Sequence, residues 1–138
     1  MIRDNVKEYY LVKDFNCAET TMHIINEQYK LGLSSDDIKL MSGFGAGFGC
    51  GHTCGVLCAG IAALGRMCVD QRAHNTSKFG SLCADYVREF EEHFGNTMCS
   101  EIIKMYKKPE VRCLATVEEG VELLESYVNR VLSEKGES

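Results

Sequence analysis

Proline is almost absent from this sequence, which has only one, Pro109, among its 138 residues. A chain with so little proline and with 45% hydrophobic residues is typical of an ordinary folded protein, not of a disordered or linker segment. Its length falls within the usual size of one domain. We therefore predict a single domain over residues 1–138.

Long apolar runs and a strong positive charge are missing as well. The longest stretch of apolar residues and glycine, residues 55–65, is too short to span a bilayer. The first residues show no apolar core followed by a cleavage site, so we expect no signal peptide. The net charge is −5 and there is no strong basic patch, which argues against nucleic acid as the main partner. We therefore expect a cytoplasmic protein that neither inserts into membranes nor binds nucleic acid.

Alternating β-branched runs, which would indicate strands, are also missing, and apolar residues recur at three- and four-residue steps instead. This pattern predicts an all-α fold, a compact bundle of about six to seven helices followed by a frayed tail at 133–138. The fourth helix is rich in glycine and alanine and is expected to be central and buried, because small side chains let neighbouring helices approach closely. The predicted helices cover residues 2–13, 17–31 (capped by Asn16 and stopped by Gly32), 34–41, 54–69, 76–94, 96–108 and 113–132.

Cysteine is present in excess, with eight residues. In a reducing compartment such a number favours metal ligation, redox chemistry or core packing over disulfides. No two cysteines have the C-x-x-C spacing, which disfavours a thioredoxin-type dithiol, a zinc ribbon and a c-type haem site, so no haem is expected. The segment SGFGAGFGCGHTCGVLCAG at residues 42–60 contains neither G-x-G-x-x-G nor G-x-x-x-x-G-K, so phosphate binding is disfavoured too.

Four of the cysteines lie in or beside the first turn of a predicted helix. The unpaired N–H groups and the positive end of the helix dipole stabilise a thiolate there, and the thiolate is both the nucleophile and the metal ligand. The same placement on four separate helices is hard to ascribe to packing alone. These four candidate site residues are Cys17, Cys54, Cys99 and Cys113.

Three neighbouring side chains are candidate additional ligands. Cys50 and Cys58 would share a face with Cys54 if the fourth helix began early, since residues four apart are neighbours on a helix. Cys58 is equally compatible with a small core position. His52 could be a ligand or a proton donor, and an exposed loop histidine is the simpler interpretation.

The remaining cysteines and the glycines have less specific roles. Cys68 fits a ligand or a core position equally well, whereas Cys83 lies on the apolar stripe of the fifth helix and fits core packing. Glycines let the backbone turn sharply and approach the thiol of Cys54 closely. Backbone N–H groups near the sulfurs could also tune a redox potential by hydrogen bonding. The glycines placed at a cofactor site are Gly49, Gly51 and Gly55.

Several segments resemble the C_GCAxxG_C_C family of redox-active proteins, which is related to the non-haem domain of split-Soret cytochromes. They are NCAET at 16–20, the glycine segment at 42–60, FGNTMC at 94–99, and Cys113. The four cysteines that define the family pattern fall on the four selected above. One departure is Val56, where the family has alanine. The resemblance implies a redox role with an iron–sulfur centre, and it supplies no substrate or reaction.

Three chemistries stay open for the four cysteines. The leading one is an iron–sulfur cluster that exchanges electrons with an unknown partner protein, because thiolate-only ligation suits such clusters. The second is metal-free thiol–disulfide redox chemistry, with Cys17 and Cys54 as catalytic thiols. The third is a structural zinc site in an interaction module. The glycine- and alanine-rich fourth helix could also pack against a second copy in a homodimer.

Overall fold

The computed structural model describes the backbone of residues 1–136 and the side chains of residues 1–134. The fold is all-α, as predicted, and no strand forms within residues 1–136. A helical segment at residues 2–12 begins as a 3-10 turn and ends as a π turn, and six α-helices follow it. They are α1 (Cys17–Tyr29), α2 (Ser35–Ile38), α3 (Gly55–Cys68), α4 (Phe79–Phe94), α5 (Cys99–Tyr106) and α6 (Leu114–Gly136).

The start of α1 is the one the sequence predicts, and its end is different. The Asn16 side chain accepts a hydrogen bond from the N–H of Glu19 at 2.9 Å, and the Glu19 carboxylate accepts one from the N–H of Asn16 at 3.0 Å. This reciprocal pair is a capping box. The last residue of α1 is Tyr29, and the next residue, Lys30, ends the helix with a left-handed φ of 51°. Gly32 adopts a positive φ two residues later. The prediction that Gly32 itself stops the helix was therefore wrong.

The bounds of α4 and α6 also differ from the prediction. Lys78 adopts a left-handed φ of 63° immediately before α4, so the helix begins at Phe79 and not at Thr76. At the other end of the chain, α6 continues to Gly136. Residues 133–136 are thus helical, which corrects the predicted frayed tail, and residues 137–138 lie outside the part of the chain that the structure describes.

Helix α3 is the centre of the molecule, as predicted, and packs against α1, α4 and α6. Its small residues allow the close approach. A β-carbon at Gly60 would lie 2.6 Å from the hydroxyl oxygen of Tyr86, and Val56 packs against Gly120 of α6. These small residues make contacts within the chain. The homodimer suggested for α3 stays a prediction. Within residues 1–136, none of the helices has both the length and the apolar character needed to cross a membrane.

Candidate functional site

A single cavity of about 210 Å³ is lined by four cysteines, each from the start of a different helix. Cys17 is the first residue of α1, and Cys54 is the N-cap of α3. Cys99 is the first residue of α5, and Cys113 immediately precedes α6. These are the four cysteines predicted from the sequence. The fold therefore brings these four cysteines together around one cavity.

Cys54 and Cys99 are held side by side by the backbone. The N–H of Cys54 donates to the carbonyl of Thr97 at 2.8 Å, and the N–H of Cys99 donates to the carbonyl of His52 at 2.6 Å. These two hydrogen bonds form a short antiparallel bridge between the chain before α3 and the chain before α5. Because these hydrogen bonds join backbone atoms, we expect substitution of the Cys54 or Cys99 side chain to leave them intact.

Cys17 is positioned by the cap of its own helix and by the glycine segment. The Asn16 amide, which caps α1, also donates to the carbonyl of Ser42 at 3.0 Å. A β-carbon at Gly55 would lie 2.7 Å from the Sγ atom of Cys17. The absence of a side chain at position 55 therefore allows the Cys17 sulfur to approach the start of α3.

Cys113 is anchored by the N-terminal helical segment. Its N–H donates to the hydroxyl oxygen of Tyr10 at 3.1 Å. The guanidinium of Arg112 lies 4.5 Å from the centre of the Tyr10 ring and also donates to the Tyr10 carbonyl at 3.0 Å. Tyr10 thus fixes the start of α6 from a distant part of the sequence.

The glycine segment forms an unusual left-handed turn beside the cavity. Four consecutive residues, 46–49, have positive φ angles of 54°, 58°, 61° and 73°. The turn is closed by a hydrogen bond from the N–H of His52 to the carbonyl of Gly47 at 2.9 Å. Glycine adopts positive φ without strain, whereas Ala46 and Phe48 do not. The sharp turn predicted for the glycines is therefore present, and it places Ala46 in the cavity wall.

Burial raises the pKa of all four cavity thiols above its ordinary value. Cys54 is 5% exposed, and its burial, with a smaller effect of the nearby Cys17, raises its pKa to about 12. Backbone N–H groups of Val56 and Leu57 lower that pKa only in part. The expectation that helix starts would make these thiols acidic was therefore wrong for the metal-free protein, because desolvation outweighs the helix dipole.

Two cations line the mouth of the cavity. Lys107 and Arg112 are both exposed, and their charges partly lower the otherwise raised pKa of Cys113. The inner wall near them includes the apolar side chains of Ile102 and Ile103. The cavity is therefore apolar within and positively charged at its opening.

The other predicted ligands lie outside this cavity. Cys50 is exposed on the left-handed turn, and His52 is exposed and stacks on Phe48 with ring centres 5.4 Å apart. Cys58 lines a separate apolar groove. The shared face expected for Cys50, Cys54 and Cys58 does not form, because α3 begins only at Gly55. Of the three glycines predicted at the site, Gly55 lines the cavity and Gly49 and Gly51 do not.

Cys68, which the sequence left open, and Cys83, for which it favoured core packing, are both half-buried and do not line the cavity. Among residues 1–134, no three side chains of His, Cys, Asp or Glu are grouped so that they could hold a metal ion. The four thiols thus line one cavity without being grouped, among the described residues, as ligands of a metal ion.

Several cavity residues were missed by the sequence reasoning. Tyr10 and Lys107 carry no local motif that would have connected them to the cysteines. Thr116 could have been found, since it lies three residues after Cys113 and so falls on the same helical face.

The family comparison agrees with this geometry. A family model described as "Putative redox-active protein (C_GCAxxG_C_C)" matches residues 15–127, a range that contains all four cavity cysteines. No curated protein and no solved structure matches the chain.

Proposed function

The chain belongs to the C_GCAxxG_C_C family of redox-active proteins, and we propose that its four cavity cysteines hold an iron–sulfur cluster that carries electrons. One observation carries the proposal: thiols from the starts of four separate helices line one cavity. Ligation by thiolates alone, from positions scattered along a chain, suits iron–sulfur clusters.

The cavity leaves an open space of about 210 Å³ beside the four thiols. A cluster places several iron and sulfide atoms between its thiolates, so its ligands stand further apart than those of one ion. Among residues 1–134, no three side chains are grouped to hold a single metal ion. Thiols that line a cavity without such a grouping are compatible with the wider spacing of cluster ligands.

The protonation of the thiols argues against metal-free thiol–disulfide chemistry. Such chemistry needs a thiolate near neutral pH, whereas burial raises the pKa of each of the four cavity thiols. A bound metal deprotonates its cysteine ligands irrespective of their free pKa. Buried neutral thiols are therefore better suited to hold a metal centre than to attack a disulfide.

The surrounding residues have distinct tasks in this proposal. When bound, the cluster would accept and release one electron at a time. Ile102 and Ile103 place apolar side chains around the cluster. Lys107 and Arg112 place positive charge at the mouth, which stabilises negative sulfur ligands and attracts anionic groups of a partner.

The decisive test is anaerobic purification and reconstitution, followed by iron and acid-labile sulfide analysis and electron paramagnetic resonance. The wild-type protein should bind both elements and give a reducible cluster signal. Cys54→Ser and Cys99→Ser should lose most of the iron and sulfide, whereas the control Cys83→Ser, outside the cavity, should retain them.

Three results would contradict the proposal. A wild-type protein without iron and sulfide after reconstitution overturns it directly. Zinc that survives reduction, with loss of the fold on chelation, would favour the structural zinc module instead. Reversible loss of two thiols on mild oxidation without metal, abolished by Cys54→Ser, would favour thiol–disulfide chemistry.

A further inference from the structure

Thr116 is a buried threonine in the wall of the four-cysteine cavity. It is the third residue of α6, one turn after Cys113, and it lines the same cavity. Its side chain is buried, at 3% exposure, and within the described residues its Oγ1 atom has no hydrogen-bond partner. A buried hydroxyl without a partner costs free energy, so it needs an explanation such as a water, an ion or a redox group bound beside it.

The local backbone explains why the hydroxyl is unpaired. A threonine in a helix usually donates to the carbonyl four residues earlier. For Thr116 that carbonyl belongs to Arg112, which has a left-handed φ of 52° before the helix and accepts from the N–H of Lys108 at 3.0 Å. The usual acceptor is therefore engaged in a turn and not aligned with α6.

Thr21 shows the ordinary arrangement in the same protein. It lies four residues after Cys17, and its hydroxyl donates to the Cys17 carbonyl at 2.7 Å. Both threonines are buried and both follow a cavity cysteine by about one helical turn. Of these two threonines, Thr116 is the one whose hydroxyl has no partner among the described residues.

We infer that Thr116 is a positioning residue whose hydroxyl donates a hydrogen bond to a sulfur atom of the group that the four cysteines hold. The inference rests on the proposed function. Hydrogen bonds to the sulfurs of an iron–sulfur cluster are among the factors that set its reduction potential. Because such a bond stabilises the more negative, reduced state, its loss lowers the potential.

The test compares reconstituted Thr116→Val, which removes the hydroxyl and keeps the shape, with Thr116→Ser, which keeps the hydroxyl. Anaerobic redox titration should show a lower potential for Thr116→Val and a potential near that of the wild type for Thr116→Ser. The electron paramagnetic resonance signal of Thr116→Val should shift as well. Thr116→Ala provides the same measurement if the valine variant does not fold.

Tyr127→Phe is the control, because it removes the hydroxyl of a buried tyrosine that donates to the Leu82 carbonyl and does not line the cavity. Its potential should equal that of the wild type. An equal fall in Tyr127→Phe and Thr116→Val, or an unchanged potential in Thr116→Val, overturns the role of Thr116 and leaves the cluster in place. A wild-type protein without a cluster overturns both proposals.

Discussion

Gly55 and the Sγ atom of Cys17 approach so closely that a β-carbon at position 55 would lie 2.7 Å from the sulfur. The same β-carbon would lie 2.6 Å from the carbonyl oxygen of Phe44. One glycine at the start of α3 therefore makes room both for a cavity thiol and for the chain that leads into the left-handed turn.

Gly55→Ala should destabilise the protein by about 1–3 kcal/mol, because the added methyl group overpacks a site bounded by backbone and a fixed sulfur. It should also lower the iron bound after reconstitution. Urea unfolding and iron analysis measure these two effects. Gly80→Ala is the control, since a β-carbon at Gly80 in α4 meets no heavy atom within 4 Å. Equal stability of the two variants would contradict the close contact.

Gly47→Ala and Gly49→Ala separate backbone strain from steric contact in the left-handed turn. Both glycines have positive φ, so each substitution should cost about 1–2 kcal/mol in strain. A β-carbon at Gly47 would also lie 2.7 Å from the Cβ atom of Cys99, whereas one at Gly49 meets no heavy atom within 4 Å. We expect a larger loss of unfolding free energy for Gly47→Ala. A larger loss for Gly49→Ala would show that the turn is not packed as described.

The metal-free, reduced protein should lose stability above pH 9. Burial raises the pKa of Cys54 from 9.0 to about 12. The buried thiol therefore contributes stability that is fully present below pH 9 and is lost as the pH rises toward 12. Each such group should lower the unfolding free energy by about 1.4 kcal/mol per pH unit in that range. Urea unfolding between pH 7 and 10.5 measures the slope.

Cys54→Ala is the variant that identifies the group responsible for this slope. It should unfold with a shallower pH dependence than the wild type, even if it is less stable at every pH. The remaining slope should come from other buried groups, such as Tyr10, whose pKa burial raises to about 12. An unchanged slope in Cys54→Ala would contradict the burial of this thiol.

Asn16→Ala should weaken both α1 and the position of Cys17. The substitution removes the acceptor for the Glu19 N–H and the donor to the Ser42 carbonyl. Loss of an N-cap of this type costs about 1 kcal/mol. Thermal unfolding measures the loss, and Asn16→Asp, which keeps the capping oxygen, should recover most of it. Equal stability of Asn16→Ala and Asn16→Asp would show that the capping oxygen contributes nothing.

The sequence predicted much of the fold because the relevant signals are local. The apolar stripe of α6 includes Val117, Val121 and Val128, and all three are buried. The Asn16 cap was found from residue types a few positions apart. The end of α1 at Lys30 and the start of α4 after Lys78 were missed, because a left-handed lysine has no sequence signature comparable to that of glycine.

The chain alone also selected the four cysteines that line the cavity, because each lies at a helix start that local patterns mark. Only the tertiary structure decided that these starts meet around one cavity, that Cys50, His52 and Cys58 stay outside it, and that Tyr10 and Lys107 line it. Burial likewise reversed the expected direction of the thiol pKa values. Desolvation and close approach depend on residues far apart in sequence, and no local pattern records which of them will surround a given sulfur.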